Sequence, residues 1–177
     1  EIIFNGSLHT APDYLEFLKL IKDKQIKTAI IDQPQTLTIN RVDLEFLSPA
    51  QSFLGIMPAN INNSSLVFKL VYNSSTALFM GDMEDEESLI TQFGSQLKSD
   101  ILKVGHHGSI NANNKEFLEI VNPKYAVISV GQNNQFGHPH YRTLYYLKQL
   151  VTQILRTDEW GDVVFVSNGQ IMELLTN

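Results

Sequence analysis

Ile101-Leu102-Lys103-Val104-Gly105-His106-His107-Gly108-Ser109 is the stretch on which the reading turns. Four residues of apolar strand character, with one lysine among them, run into a glycine-flanked pair of histidines. A strand that ends abruptly in a tight polar loop is where folded domains tend to mount functional groups. The chain has five histidines. Four of them, His106, His107, His138 and His140, sit in two such loops, the second being Gly137-His138-Pro139-His140 after the apolar run Tyr125–Val130.

Immediately before the histidine pair, Asp82–Leu97 reads as an acidic-ended helix. Before that, Leu66–Tyr72 and Thr76–Met80 flank Asn73-Ser74-Ser75, a hairpin signature. Its second strand ends in Met80-Gly81-Asp82, which gives a carboxylate the same strand-end setting as the histidines. After the pair, Lys115–Val121 reads as helix, Tyr125–Val130 as a buried strand and His140–Leu150 as helix. Gln153–Leu155, Asp162–Val166 and Gln170–Leu174 read as closing strands. Towards the N-terminus, Ile2–Phe4 is a short strand. Thr10 is placed to cap a helix with Pro12 in its first turn and Tyr14, Leu15, Phe17, Leu18 and Ile21 on its apolar face. Lys27–Ile31, Leu37–Ile39 and Val42–Leu47 complete the strands. Strands interleaved with single helices imply an α/β fold with helices packed outside a sheet, a single domain over residues 1–177.

Composition bounds the function. A chain of 177 residues with 43% apolar and 18% charged residues can bury the core of one domain. Its net charge of −6 argues against a dedicated basic nucleic-acid scaffold, and with no cysteine it has neither a disulfide nor a thiolate zinc site. It lacks the roughly 18 consecutive apolar residues of a membrane span, and no signal-peptide pattern opens it. The abrupt start at Glu1-Ile2-Ile3-Phe4 reads as a strand already under way.

One carboxylate, Asp82, and several imidazoles at neighbouring strand ends make a donor set that suits Zn²⁺ or Mn²⁺. Each has an ordinary alternative. Gly-Asp after a strand commonly forms a turn or a helix cap, His-Pro-His in a loop is commonly a surface feature, and Ser109 has the right chemistry to cap the next helix. His9, far upstream and beside a helix start, reads as structural.

The segments Leu102–Ser109, Pro123–Gly131, Asn134 and Gly137-His138-Pro139-His140, taken in order, resemble the metallo-β-lactamase domain of ComEC-type DNA-uptake proteins. Asn63-Ser64-Ser65-Leu66-Val67, Gly81-Asp82, Arg156-Thr157-Asp158-Glu159 and Gly161 extend the likeness over most of residues 42–175. The resemblance implies an αββα sandwich, of which this chain is the second half with the N-terminal half absent. It implies a metal-dependent phosphodiesterase or nuclease domain, extracytoplasmic, in a bacterial plasma-membrane protein of natural competence. Carried over by position, Asp82 and His107 are metal ligands, His106 and His138 are catalytic, and Ser109, Asn134 and His140 contact substrate; His106 and His107 are interchangeable in this assignment. The cofactor is a divalent metal, zinc or manganese, incomplete or absent in this piece, because the family's His-x-His-x-Asp-His motif is nowhere in the chain. Where many relatives place a histidine before the hairpin, this chain has Asn60, Asn62 and Asn63. The implied partners are DNA and the rest of the membrane channel. Ile2, Ile3, Phe4, Phe68, Phe79 and Val127 are expected at an uncovered boundary through which the piece self-associates. Two rival readings share these residues: a non-catalytic module that guides DNA, with Lys103, Lys115 and Arg142 near the loops, or supports the channel's assembly, and another phosphoester hydrolase of the same fold.

Overall fold

The computed structural model describes residues 1–175. Its centre is a seven-stranded mixed sheet of order β3-β4-β5-β6-β7-β8-β9, formed by Gln35–Ile39, Val42–Ser48, Val67–Tyr72, Ser75–Phe79, Ile101–Lys103, Tyr125–Ile128 and Gln153–Arg156 in that order. Strands β3 to β6 are antiparallel neighbours, whereas β6, β7, β8 and β9 run parallel. Each parallel step needs a crossover. The chain supplies it with helices α2 (Glu86–Phe93), α3 (Lys115–Val121) and α4 (Tyr141–Gln149).

Register explains which face those helices cover. Leu78, Leu102 and Ala126 lie opposite one another across β6, β7 and β8. All three are buried in one cluster with Leu89 of α2, Phe117, Leu118 and Val121 of α3 and Leu147 of α4. The helices therefore pack on a single face of the sheet. The alternating residues Leu70, Phe79, Ile101 and Val127 point to the other face. There the antiparallel hairpin β10 (Val164–Ser167) and β11 (Met172–Leu175) covers part of the surface. Phe165 meets Tyr125 edge-on at 5.1 Å, and an apolar cleft of about 390 Å³ remains between hairpin and sheet. Ile2–Phe4 (β1) pairs in parallel with Thr28–Ile30 (β2) around α1 (Pro12–Asp23), a small unit outside the large sheet.

Several local expectations need correction. Thr10 does not cap α1; Ala11 holds that position with no side-chain bond, and Pro12 at the first turn starts the helix unaided. Residues 82–85 are not helical: α2 begins at Glu86 because the Asp85 carboxylate accepts from the Ser88 amide at 3.2 Å and caps it there. The hairpin turn is the two-residue Asn73-Ser74, since Ser75 already pairs with Tyr72. A one-turn helix α5 (Thr157–Trp160), which the sequence pattern did not suggest, follows β9.

Candidate functional site

Because β6, β7 and β8 run parallel, their C-terminal ends leave the sheet at one edge, the edge where open α/β sheets bind ligands. Asp82 follows β6, His106 and His107 follow β7, and Ser129 and His138 follow β8. The antiparallel partner β5 begins at that same edge, so the segment before it, Asn60–Ser65, arrives there too. Four stretches distant in sequence thus meet.

The histidine pair occupies a single turn, Gly105–Gly108, in which His106 (φ 45°) and His107 (φ 54°) are both left-handed. Two consecutive side-chain-bearing residues in that region cost on the order of 1–3 kcal/mol each, so their surroundings must hold them. The His106 amide donates to the Gly81 carbonyl at 3.0 Å. Asn113 clamps Gly105 from both sides: its Oδ1 accepts from the Gly105 amide at 3.0 Å and its Nδ2 donates to the Gly105 carbonyl at 2.9 Å. Asn113 is held in turn by Glu86, a carboxylate only 1% exposed, which accepts from the amides of Asn113 and Asn114. Burial pushes Glu86 up to about 7, and the two amide bonds lower it only in part. Gly108 (φ +81°) closes the turn against Pro139; a Cβ there would stand 2.7 Å from the Pro139 Cβ. The His140 amide donates to the Gly108 carbonyl at 2.9 Å, docking the second histidine loop onto the first.

The imidazoles are individually oriented. His107 Nδ1 lies 2.7 Å from the Ser129 carbonyl, an acceptor, so Nδ1 carries the proton and Nε2 turns towards Asp82 Oδ1 at 3.5 Å. His106 Nδ1 lies 2.9 Å from Glu84 Oε1 and donates to it. Burial pushes Glu84 up, but bonds from Asn60, Asn62, His106 and Asn111 outweigh it and hold the carboxyl below the usual range. His138 completes the group, its ring 5.7 Å from that of His106. Burial first, then the nearby His106, His107 and His140, lower its pKa despite Asp82.

The structure brings Asp82, His106, His107 and His138 together. The remaining candidates are placed differently. Ser109 is buried, and its hydroxyl accepts from the Asn111 amide at 3.2 Å. Asn134 turns inward on its own loop, donating to the His138 carbonyl at 2.7 Å and accepting from the His138 amide at 3.0 Å, so it shapes the loop that carries His138. His140 caps α4, with Nδ1 accepting from the Arg142 amide at 3.3 Å. His9 closes a local turn ahead of α1, accepting from the Ala11 amide at 3.1 Å. Lys103 bonds the Val104 carbonyl at 2.8 Å, and Lys115 lies 3.4 Å from Glu119.

Sequence reading missed Glu84, Glu86, Asn111 and Asn113. It noted Asn60, Asn62 and Asn63 only as replacements for a histidine. In the fold Asn60 and Asn62 bind Glu84, and Asn63 Oδ1 accepts from the amides of Glu84 and Asp85 at 3.1 Å. The available signal was Glu84 two residues after the strand-end Asp82, facing the one strand whose antiparallel run brings asparagines to that edge.

Catalytic zinc sites take three protein donors. Among the described residues, no group of three or more His, Asp or Glu side chains is arranged to hold a metal ion. Asp82 and His107 offer two, and Glu84 is already saturated by four hydrogen bonds. These residues do not fit a metal centre by themselves.

Comparison with known proteins adds a second line. ComE operon protein 3 of Bacillus subtilis is 33% identical over 149 residues, covering 84% of this chain and 19% of the relative. Competence protein ComA of Neisseria gonorrhoeae is 36% identical over 128 residues, covering 70% and 18%. Recombination protein 2 of Haemophilus influenzae is 33% identical over 103 residues, covering 58% and 13%. The chain thus spans about a fifth or less of the length of these curated relatives. A Thermotoga maritima protein assigned to the Zn-dependent hydrolases of the metallo-β-lactamase superfamily aligns over 74% of each chain at 14% identity and a TM-score of 0.44. No family model matches.

Proposed function

The chain belongs to the ComEC-type competence proteins, and from that premise we propose that it handles the phosphate backbone of incoming DNA during DNA uptake. The observation that carries this reading is the convergence of Asp82, His106, His107 and His138 at one sheet edge. With Nδ1 of His106 turned to Glu84 and Nδ1 of His107 turned to Ser129, a second proton on Nε2 makes these rings N–H donors and cations towards a phosphodiester. In a chain of net charge −6, that makes them the local attraction for a phosphodiester. Glu84 fixes the proton on His106 Nδ1 and leaves Nε2 for the ligand. Ser129 does the same for His107.

The finer reading is hydrolysis. Asp82 Oδ1 and His107 Nε2, 3.5 Å apart, would be two of the donors of a metal-dependent phosphodiesterase centre of metallo-β-lactamase type, a centre that needs further donors beyond these residues. An imidazole that gives its second N–H to a backbone carbonyl is the arrangement seen behind metal ligands, and His107 with Ser129 has it. The domain lies on the extracytoplasmic side of a membrane protein in this reading; among the described residues no helix is long and apolar enough to cross a membrane. The test is a nuclease assay, with zinc or manganese, on a chain extended to the length of its relatives. Cleavage lost in Asp82→Asn and His107→Ala supports hydrolysis. DNA binding without cleavage, lost in His106→Ala, supports a guiding module instead.

A further inference from the structure

Helix α4 runs away from the histidine cluster with a composition unlike the rest of the chain. Its nine residues, Tyr141–Gln149, include Arg142 and Lys148, three tyrosines and no acidic residue, within a chain carrying 19 acidic and 13 basic residues. The side packed on the core is accounted for by Thr143 and Leu147, both buried. The side facing water is aromatic. Tyr141 is 76% exposed and Tyr145 57% exposed, and their four-residue spacing puts them on one helical face. Just before the helix, Phe136 is 71% exposed. Its ring lies nearly parallel to that of His138, at 17° and 5.9 Å between centroids, and His138 is the imidazole next to His106. Tyr141 in turn lies against His140 at 4.5 Å. The Arg142 guanidinium sits 5.8 Å from the Tyr146 ring, at the surface beside this row.

Leaving a Phe ring in water forgoes the roughly 1.5–3 kcal/mol that burying it would contribute. Three exposed rings that begin against a phosphate-handling histidine and continue along a helix of net positive charge have the make-up of a single-strand platform, in which bases stack on rings while cations follow the backbone. We propose that Phe136, Tyr141 and Tyr145 form a base-stacking track that takes single-stranded DNA to the histidine cluster. A duplex offers its rings no free base faces, so the track selects unpaired strands. The proposal rests on the phosphate-handling reading of the cluster and specifies the form of nucleic acid that the cluster meets.

The probe is a fluorescently labelled oligothymidylate of about ten nucleotides, with a blunt duplex of equal length as its comparison, and anisotropy reads binding to the 177-residue chain. Phe136→Ala and Tyr141→Ala are each expected to weaken single-strand binding roughly 5- to 150-fold, the range for one lost stacking contact. Neither should change the weaker duplex binding. Phe136→Trp should restore the affinity while Phe136→Leu, apolar but without a flat face, should not. These side chains are exposed, and thermal unfolding midpoints equal to the parent's would exclude a folding defect. Single-strand binding unchanged in Phe136→Ala and Tyr141→Ala, or rescued equally by Leu and Trp, overturns the track. The functional reading fails separately: binding that depends on Phe136 and Tyr141 but is indifferent to His106→Ala and His107→Ala would sink the cluster and keep the track. Equal affinity of the parent chain for both probes also overturns the proposal.

Discussion

Replacing Glu86 by glutamine should change how stability depends on pH more than it changes stability at any one pH. Glu86 is 1% exposed and bound by two backbone amides, and burial raises its pKa from the ordinary 4.5 to about 7. An acid whose folded pKa is raised holds its proton more tightly in the folded state. Its contribution is therefore whole below pH 4.5 and is lost as pH climbs towards 7, where the unfolded chain ionises freely and the folded one does not. The gap between 4.5 and about 7, at about 1.4 kcal/mol per unit, corresponds to on the order of 3 kcal/mol. Glu86→Gln carries no titrating proton. Its amide group meets one of the two backbone N–H donors unfavourably, a cost that is constant with pH. Urea denaturation of parent and variant from pH 4.5 to 8 isolates the effect, because the groups whose pKa is lowered, Glu84, Asp158, His138 and Lys103, are common to both. The parent should lose about 3 kcal/mol relative to the variant across that window, a relative midpoint shift of roughly 1–2 M urea. Parallel pH profiles would refute the claim that Glu86 is buried without a compensating cation.

Gly108→Ala should destabilise by about 2 kcal/mol or more, since φ +81° and the 2.7 Å approach of Pro139 both oppose a side chain, and urea midpoints check it. Phe117→Ala, at a fully buried site between α3 and the sheet, should cost about 3–5 kcal/mol by the same measurement. Asn113→Ala should speed amide exchange at Gly105 and His106 by roughly ten- to hundredfold while leaving the β5 and β8 amides unchanged; uniform acceleration would contradict a local clamp. Light scattering over a concentration series should show self-association through the apolar cleft that Leu70, Phe79, Val127 and Phe165 line, and Val127→Lys should abolish it; a monomer at every concentration would count against an interface there.

The strands were legible because each is a short apolar run ended by a turn residue, and β5 to β8 fall within a residue or two of where the pattern puts them. Asp82, His107 and His138 were legible as strand-end residues. That setting also predicts that they converge at one end of a sheet; the parallel run of β6, β7 and β8 that brings them there is a pairing that strand periodicity does not encode. Hydrogen-bonding roles were hidden for a related reason. Asn134 and His140 carry side chains suited to a ligand, yet each is occupied by its own loop or helix, the kind of local side-chain-to-backbone bond these residues favour. Glu86 looked like one more acid at the acidic end of a helix. Only the fold shows that its helix turns it inward onto residues 113–114. The aromatic row was visible as residues but not as a surface, since Leu144 and Leu147 in the same helix suggest an ordinary core-facing stripe.

In the proposed function, the cluster at the ends of β6, β7 and β8 meets the phosphate backbone of DNA. Imidazole resonances report on it directly, because three of the five histidines form the cluster and His9 stands apart as a control. On titration with a short single-stranded oligodeoxynucleotide, the rings of His106, His107 and His138 should shift together and saturate with one affinity, while that of His9, beside α1, stays in place. Shifts at His9 with none at His106, His107 and His138, or saturation that leaves all five unmoved, would contradict the account.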